Sequence, residues 1–146
     1  LESKDRATAN AVSSTISNHT FRIRLLQSEA ADVLYQHIRP MREGFIEDAQ
    51  ARLDQWLAEA PFKDATPQMP DWLYHSFYNL TMFIHRPSLI EGNPSMTDYG
   101  RCFSAASNVL RMYTRLHQKN GLDCTWMALH WFFSCGRYTS VLYLGK

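Results

Sequence analysis

Apolar positions along the chain recur at three- and four-residue steps, and no extended run alternates in twos, so the pattern predicts helices and no sheet. The strongest stretch runs from Trp72 to Leu89. Leu73, Phe77, Leu80 and Ile84 form one helical stripe, with Tyr74, Tyr78 and Met82 to one side of it and Trp72 and Phe83 to the other. Only a narrow sector at His75 and Asn79 is polar. A helix apolar nearly all round has to be enclosed by other elements. Pro70 suits its first turn, and Pro87 ends it, because proline lacks the amide proton and restricts the residue before it. The reading is a central aromatic helix over about residues 70–86.

The flanking patterns supply its expected partners. Residues 1–17, rich in Ala, Ser, Thr and Asn, read as a frayed or weakly helical extension; a helix is expected from Thr20 to Ile38, stopped near Pro40. Its apolar side is read as Leu25, Leu26, Val33, Leu34 and Ile38, with Phe21 leading in. A second helix, about Met41 to Ala60, places Phe45, Ile46, Ala49, Leu53, Trp56 and Leu57 at helical spacing, with Glu43, Glu47 and Asp48 early, where the macrodipole favours acids. After the loop of residues 88–97, Ser95 followed by Asp98 reads as a capped helix start. That helix carries Tyr99, Cys102, Ala106, Val109, Leu110, Tyr113 and Leu116 on one side and stops at Asn120-Gly121. It is the expected partner of the aromatic helix, its Ser104, Ala105 and Ala106 permitting close approach. A last helix is expected from about Asp123, with Trp126, Met127, Leu129, His130, Phe132 and Phe133. The expected architecture is all-α, about five helices, with one domain over residues 18–146 behind the 1–17 extension.

Length and charge narrow the class. A chain of 146 residues with 45% hydrophobic residues is large enough for one buried core. The formal net charge of +1 gives no case for nucleic-acid or anionic-membrane binding, and no apolar run approaches the roughly 20 positions a membrane helix needs. The start, Leu1-Glu2-Ser3-Lys4, is not a signal peptide, and without an initiator Met it reads as part of a longer chain. Cys102, Cys124 and Cys135 are odd in number and widely spaced, which argues for buried free thiols in cytosol or nucleus.

Three pieces of the sequence resemble the fungal-specific transcription factor domain, the middle homology region of fungal zinc binuclear cluster regulators. The first is the end of the aromatic helix, Phe83-Ile84-His85-Arg86-Pro87-Ser88-Leu89, similar to the family's hydrophobic–His–Arg–Pro segment. The second is Cys102-Phe103-Ser104-Ala105-Ala106, similar to the Cys-x-x-Ala-Ala helix that follows it, and the third is the loop of about ten residues between them. The resemblance covers roughly residues 20–145. It implies a non-catalytic regulatory domain in the nucleus, controlling transcription through ligand or protein contacts. The family's zinc sits in an N-terminal six-cysteine cluster that this sequence does not contain, so no cofactor or metal and no direct nucleic-acid contact is expected of this stretch. It reads as an excerpt of a larger helical domain, and an excerpt with exposed apolar surface tends to self-associate, which makes a homodimer or a co-regulator the expected protein partner. The alternative is a helical dimerisation or coactivator-docking module without a small-molecule ligand.

Candidate chemistry is sparse. Trp72, Phe77, Tyr78, Trp126 and Phe133, with His75 and His130 as polar groups, are the candidate lining for a small apolar ligand; packed core is the plainer reading of the same residues. His85 and Arg86 read first as caps on the last carbonyls of their helix, and Cys102 as a small packing residue beside Ala105 and Ala106. The histidines show no His-x-x-x-His pair, and neither a Gly-x-Ser-x-Gly elbow nor a phosphate loop is present, so neither a metal site nor catalysis is expected. Arg101, Arg111, Arg115 and Lys119 form a basic stripe without interleaved aromatics, which reads as a solvated face.

Overall fold

A computed structural model of the chain describes residues 2–36, 40–61, 69–86, 95–118 and 133, with side chains described for 13–36, 40–61, 71–86, 95–118 and 133. Four helices make up these residues, and no strand occurs among them: α1, Glu2–Leu34; α2, Phe45–Ala58; α3, Met69–His85; and α4, Met96–Gln118. The expected fifth helix falls outside the described residues except for Phe133, which is exposed. The chain divides into two compact units, Leu1–Tyr74 and His75–Lys146, and α3 runs through the division.

In the first unit α1 and α2 pack antiparallel: Arg22 meets Glu59 at 2.6 Å, and Glu29 meets Arg52 at 2.8 Å. α1 begins eighteen positions earlier than Thr20, so the Ala- and Ser-rich stretch is part of the helix, and it ends at Leu34 rather than Ile38. Amides of Tyr35 and Gln36 both donate to the Ala31 carbonyl and close its last turn. The buried stripe of α1 is His19, Ile23, Leu26, Ala30, Val33 and Leu34. Leu25, expected inside, is 55% exposed, and Phe21 is exposed as well. The cause is periodicity: steps of four, three, four and three from His19 select Ile23 and Leu26, and Leu25 lies about 100° away from Leu26 on the helix.

α2 buries Phe45, Ile46, Ala49, Gln50, Leu53 and Trp56. The buried Gln50 amide donates to Asp54 at 2.8 Å, which gives it a hydrogen-bond partner. Gly44 precedes this helix at φ 73°, a left-handed conformation that costs glycine nothing and other residues more. Asp48 and Arg52, four apart on the helix, form an ion pair at 3.6 Å. These surface ion pairs each contribute about 0–1 kcal/mol, whereas burying Leu53 or Phe45 contributes roughly 1.5–3 kcal/mol. Apolar burial therefore holds the α1–α2 hairpin together, and the ion pairs set its register. Trp72, at the start of α3, meets Trp56 edge-on with ring centres 6.3 Å apart.

In the second unit the remainder of α3 packs antiparallel on α4. Met82, Cys102, Ala105, Ala106, Val109 and Tyr113 form its core, with Tyr78 and Leu110 half-buried against it. Of the expected α3 stripe, Leu73, Leu80 and Ile84 are buried, while Phe77 is only half-buried. Met82 is buried because it faces α4. On α4, Met112 and Ala105 join the buried side, and Tyr99, Leu110 and Leu116 sit at its margin.

Leu53→Ala should lower stability by about 2–4 kcal/mol, from lost burial plus the cavity left behind, while Leu57→Ala on the half-buried margin should cost clearly less. Urea denaturation of both variants checks this; equal losses would contradict the placement of α2 against α1.

Candidate functional site

One polar cluster of the second unit begins at a helix cap. The Ser95 hydroxyl accepts from the Asp98 amide at 3.1 Å, and Asp98 Oδ2 accepts from the Ser95 amide at 3.1 Å and from its hydroxyl. This is the predicted cap at the start of α4, closed reciprocally by aspartate in the place where Glu is more usual. The other carboxylate oxygen, Oδ1, lies 2.6 Å from His85 Nδ1. A carboxylate at this position fixes the proton on Nδ1, so His85 donates. His85 is 1% exposed, among the most deeply buried side chains of the protein. Thus the last residue of α3 is tied to the first turn of α4.

The electrostatics follow from this geometry. Burial alone would raise the Asp98 carboxyl, but the hydrogen bonds from Ser95 and His85, together with the positive character of His85, outweigh burial and hold it below the ordinary aspartate value. The cluster contains serine, aspartate and histidine, but in an order unsuited to nucleophilic catalysis. Its hydroxyl donates to the carboxylate, whereas an activated serine needs its hydroxyl on the imidazole. Cap and cross-link are what this arrangement does chemically.

The rest of the resembling segments pack around the same junction. Cys102, 2% exposed, has its sulfur 4.0 Å from the Met82 carbonyl oxygen, and Ala105 and Ala106 lie in the same core. A thiol so placed packs; it is not presented to solvent. Arg86 lays its guanidinium over the Phe83 ring at 4.6 Å, and its amide donates to the Met82 carbonyl. His85 thus has a carboxylate partner and Arg86 an aromatic face. Pro87 lies outside the described residues.

A second polar group lies farther along the α3–α4 seam. His75 Nε2 is 2.9 Å from the Tyr113 hydroxyl, and the rings meet edge-on at 5.5 Å. The Asn79 side-chain nitrogen sits 3.0 Å from both ring nitrogens of His75, and Asn79 Oδ1 is buried with no hydrogen-bond partner. Burial holds His75 below the ordinary histidine pKa. The narrow polar sector read from the sequence is therefore half-buried and faces Tyr113. In the first unit, His19 stacks on the Trp56 indole at 4.5 Å, the indole nitrogen donates to the His19 carbonyl at 2.8 Å, and His19 Nε2 is buried and unpaired. Burial first, then the Arg22 charge, lowers the His19 pKa against an opposing pull from Glu59.

The predicted ligand set divides accordingly. His75, Phe77 and Tyr78 share the second unit, where Phe77 and Tyr78 meet edge-on at 5.4 Å, and Trp72 packs on Trp56 in the first. Phe133 is 76% exposed, and Trp126 and His130 lie outside the described residues. Tyr113, Asn79 and Asp98 were absent from that set; Tyr113 and Asn79 had only helical register to mark them, and Asp98 was read solely as a cap. No group of three or more metal-ligating side chains occurs among the described residues, and no described helix is long and apolar enough to cross a membrane. Compared with family models, curated proteins and solved structures, the chain matches none.

Because the folded Asp98 pKa is depressed, its contribution to stability is present above the unfolded carboxylate value and is lost as pH falls through the folded one. Asp98→Asn should therefore be destabilising at pH 7, by about 1–2 kcal/mol, and the gap from wild type should close in acid. Urea midpoints between neutral pH and pH 3 measure it, and a gap that stays constant would contradict the ionised cap. For His75, proton NMR should find the ring titrating below the ordinary value of 6.5; a value above it would contradict the buried Tyr113 contact.

Proposed function

We propose that this chain is an excerpt of the regulatory middle region of a fungal zinc-cluster transcription factor, non-catalytic and working in the nucleus through protein or ligand contacts. One observation carries the reading. The two helices that carry the resembling segments meet at their junction: Met82, one turn before the His85-Arg86 pair, packs on Cys102, Ala105 and Ala106, and His85 bonds Asp98, one turn before Cys102. Segments that lie on two helices joined in this way support the reading of them as parts of one domain. The reading carries with it an architecture of about five helices around the aromatic helix, continued by further helices of the parent domain.

Ligand control, within this reading, belongs at the His75–Asn79–Tyr113 group. Asn79 Oδ1 is a buried acceptor without a donor, and Tyr78 and Leu110 are half-buried apolar groups on the core cluster that includes Tyr113. A ligand acts there only through unequal affinity for two arrangements of the domain. The second reading, a docking or dimerisation module, draws on Phe21 and Leu25, which lie one turn apart and exposed on α1.

The open reading frame upstream of Leu1 tests the main reading: six cysteines at zinc-cluster spacing with basic flanks are expected, and a frame encoding an unrelated domain there would remove it. Light scattering separates the second reading: a dimer that Phe21→Ser with Leu25→Ser dissociates supports it, and a strict monomer at high concentration contradicts it.

A further inference from the structure

The charges of this protein are unevenly divided. Leu1–Tyr74 holds eight Lys and Arg against eleven Asp and Glu, net −3, whereas His75–Lys146 holds seven against three, net +4. The described arginines of the first unit are engaged: Arg22 with Glu59, Arg42 with Asp48, Arg52 with Glu29 and Asp48, and Arg24 with Gln27. Helix α4 is different. Its one carboxylate, Asp98, is occupied by Ser95 and His85. Arg101, Arg111 and Arg115 are all exposed, and none of them forms an ion pair among the described residues.

The rotation of α4 is set by its buried side, Cys102 to Tyr113, and the three arginines lie outside it within an arc of about 80°, Arg111 and Arg115 on the far side and Arg101 at the flank. They span about 21 Å along the axis, with Ser104 and Asn108 among them and no acid on that arc. Arg111 and Arg115 are four apart, a like-charge spacing that works against the helix on its own. A guanidinium presents a planar fork of donors that matches a carboxylate bidentately. Nucleic acid is the poorer fit: the arc has no aromatic side chain for base stacking, and the chain as a whole carries only +1 with a pI near 7.9.

We propose that this outer face of α4 binds an acidic polypeptide segment, one with at least three carboxylates spread along a helix or strand of matching length. The proposal needs only the surface of α4 and stands apart from the transcription-factor reading.

Fluorescence anisotropy of the full chain with a labelled 20-residue helical peptide carrying Glu at every third or fourth position tests it, with a single-stranded oligo-dT of equal charge as comparator. The peptide should bind, and raising salt from about 50 to about 300 mM should weaken it, as expected for screened surface charges. The triple variant R101Q/R111Q/R115Q should bind about tenfold more weakly, and R24Q/R42Q within about twofold of wild type. Circular dichroism checks that helix content is kept; should the triple variant lose it, the single variants R101Q and R115Q should each weaken binding about two- to threefold. Undiminished binding by a folded triple variant, oligo-dT binding as tightly as the peptide, or no binding up to about 1 mM would overturn the proposal. So would a wild-type dimer that the triple variant dissociates, since the face would then serve the acidic unit of a second copy.

Discussion

Among the described residues of the second unit, the junction of α3 and α4 turns on one contact, the bond between His85 at the end of α3 and Asp98 in the first turn of α4. Each residue needs the other. A histidine buried to 1% exposure without a partner would leave a polar ring nitrogen unsatisfied, at a cost of about 1–3 kcal/mol. Asp98, drawn inward without His85 and Ser95, would bear its desolvation uncompensated. Meeting there, the two side chains terminate one helix and start the next at a fixed separation. The small residues Cys102, Ala105 and Ala106 can then pack closely on Met82. Cap, cross-link and close packing are thus consequences of one geometry.

The first unit is held differently. Its core is an apolar hairpin seam with Trp56 stacked on His19 and edge-on to Trp72, and the surface pairs Arg22–Glu59 and Arg52–Glu29 tie α1 to the α2 side of the hairpin. The contrast in charge use matters for function. Arg22, Arg42 and Arg52 of the first unit form ion pairs, whereas Arg101, Arg111 and Arg115 on α4 form none among the described residues, so the outward chemistry of the two units differs even though both are built from antiparallel helix pairs.

Local signals explain what the amino-acid pattern made legible. Pro87 marked the end of α3 within two residues, and Ser95 with Asp98 marked the start of α4, because cap and stop chemistry act over three or four neighbours. The small-residue face Cys102–Ala106 was legible for the same reason. What escaped was tertiary. His85 finds its partner thirteen residues away across a loop, and Tyr113 reaches His75 over thirty-eight. The face of α1 was misjudged because two of its buried positions, His19 and Ala30, carry little apolar signal, while the exposed Phe21 and Leu25 carry much. His19 is inside because an indole covers it, and no spacing rule announces a stack between residues thirty-seven apart.

The central claim is that His85 and Asp98 act as a coupled pair, and a double-mutant cycle with His85→Ala, Asp98→Ala and the double variant measures this most directly. Unfolding by urea at pH 7 should give a coupling free energy of about 1.5–3 kcal/mol, the range for a hydrogen bond to a charged group. Losses that simply add, with coupling below about 0.5 kcal/mol, would show that the two side chains stabilise the protein separately and that the α3–α4 junction is held by something else.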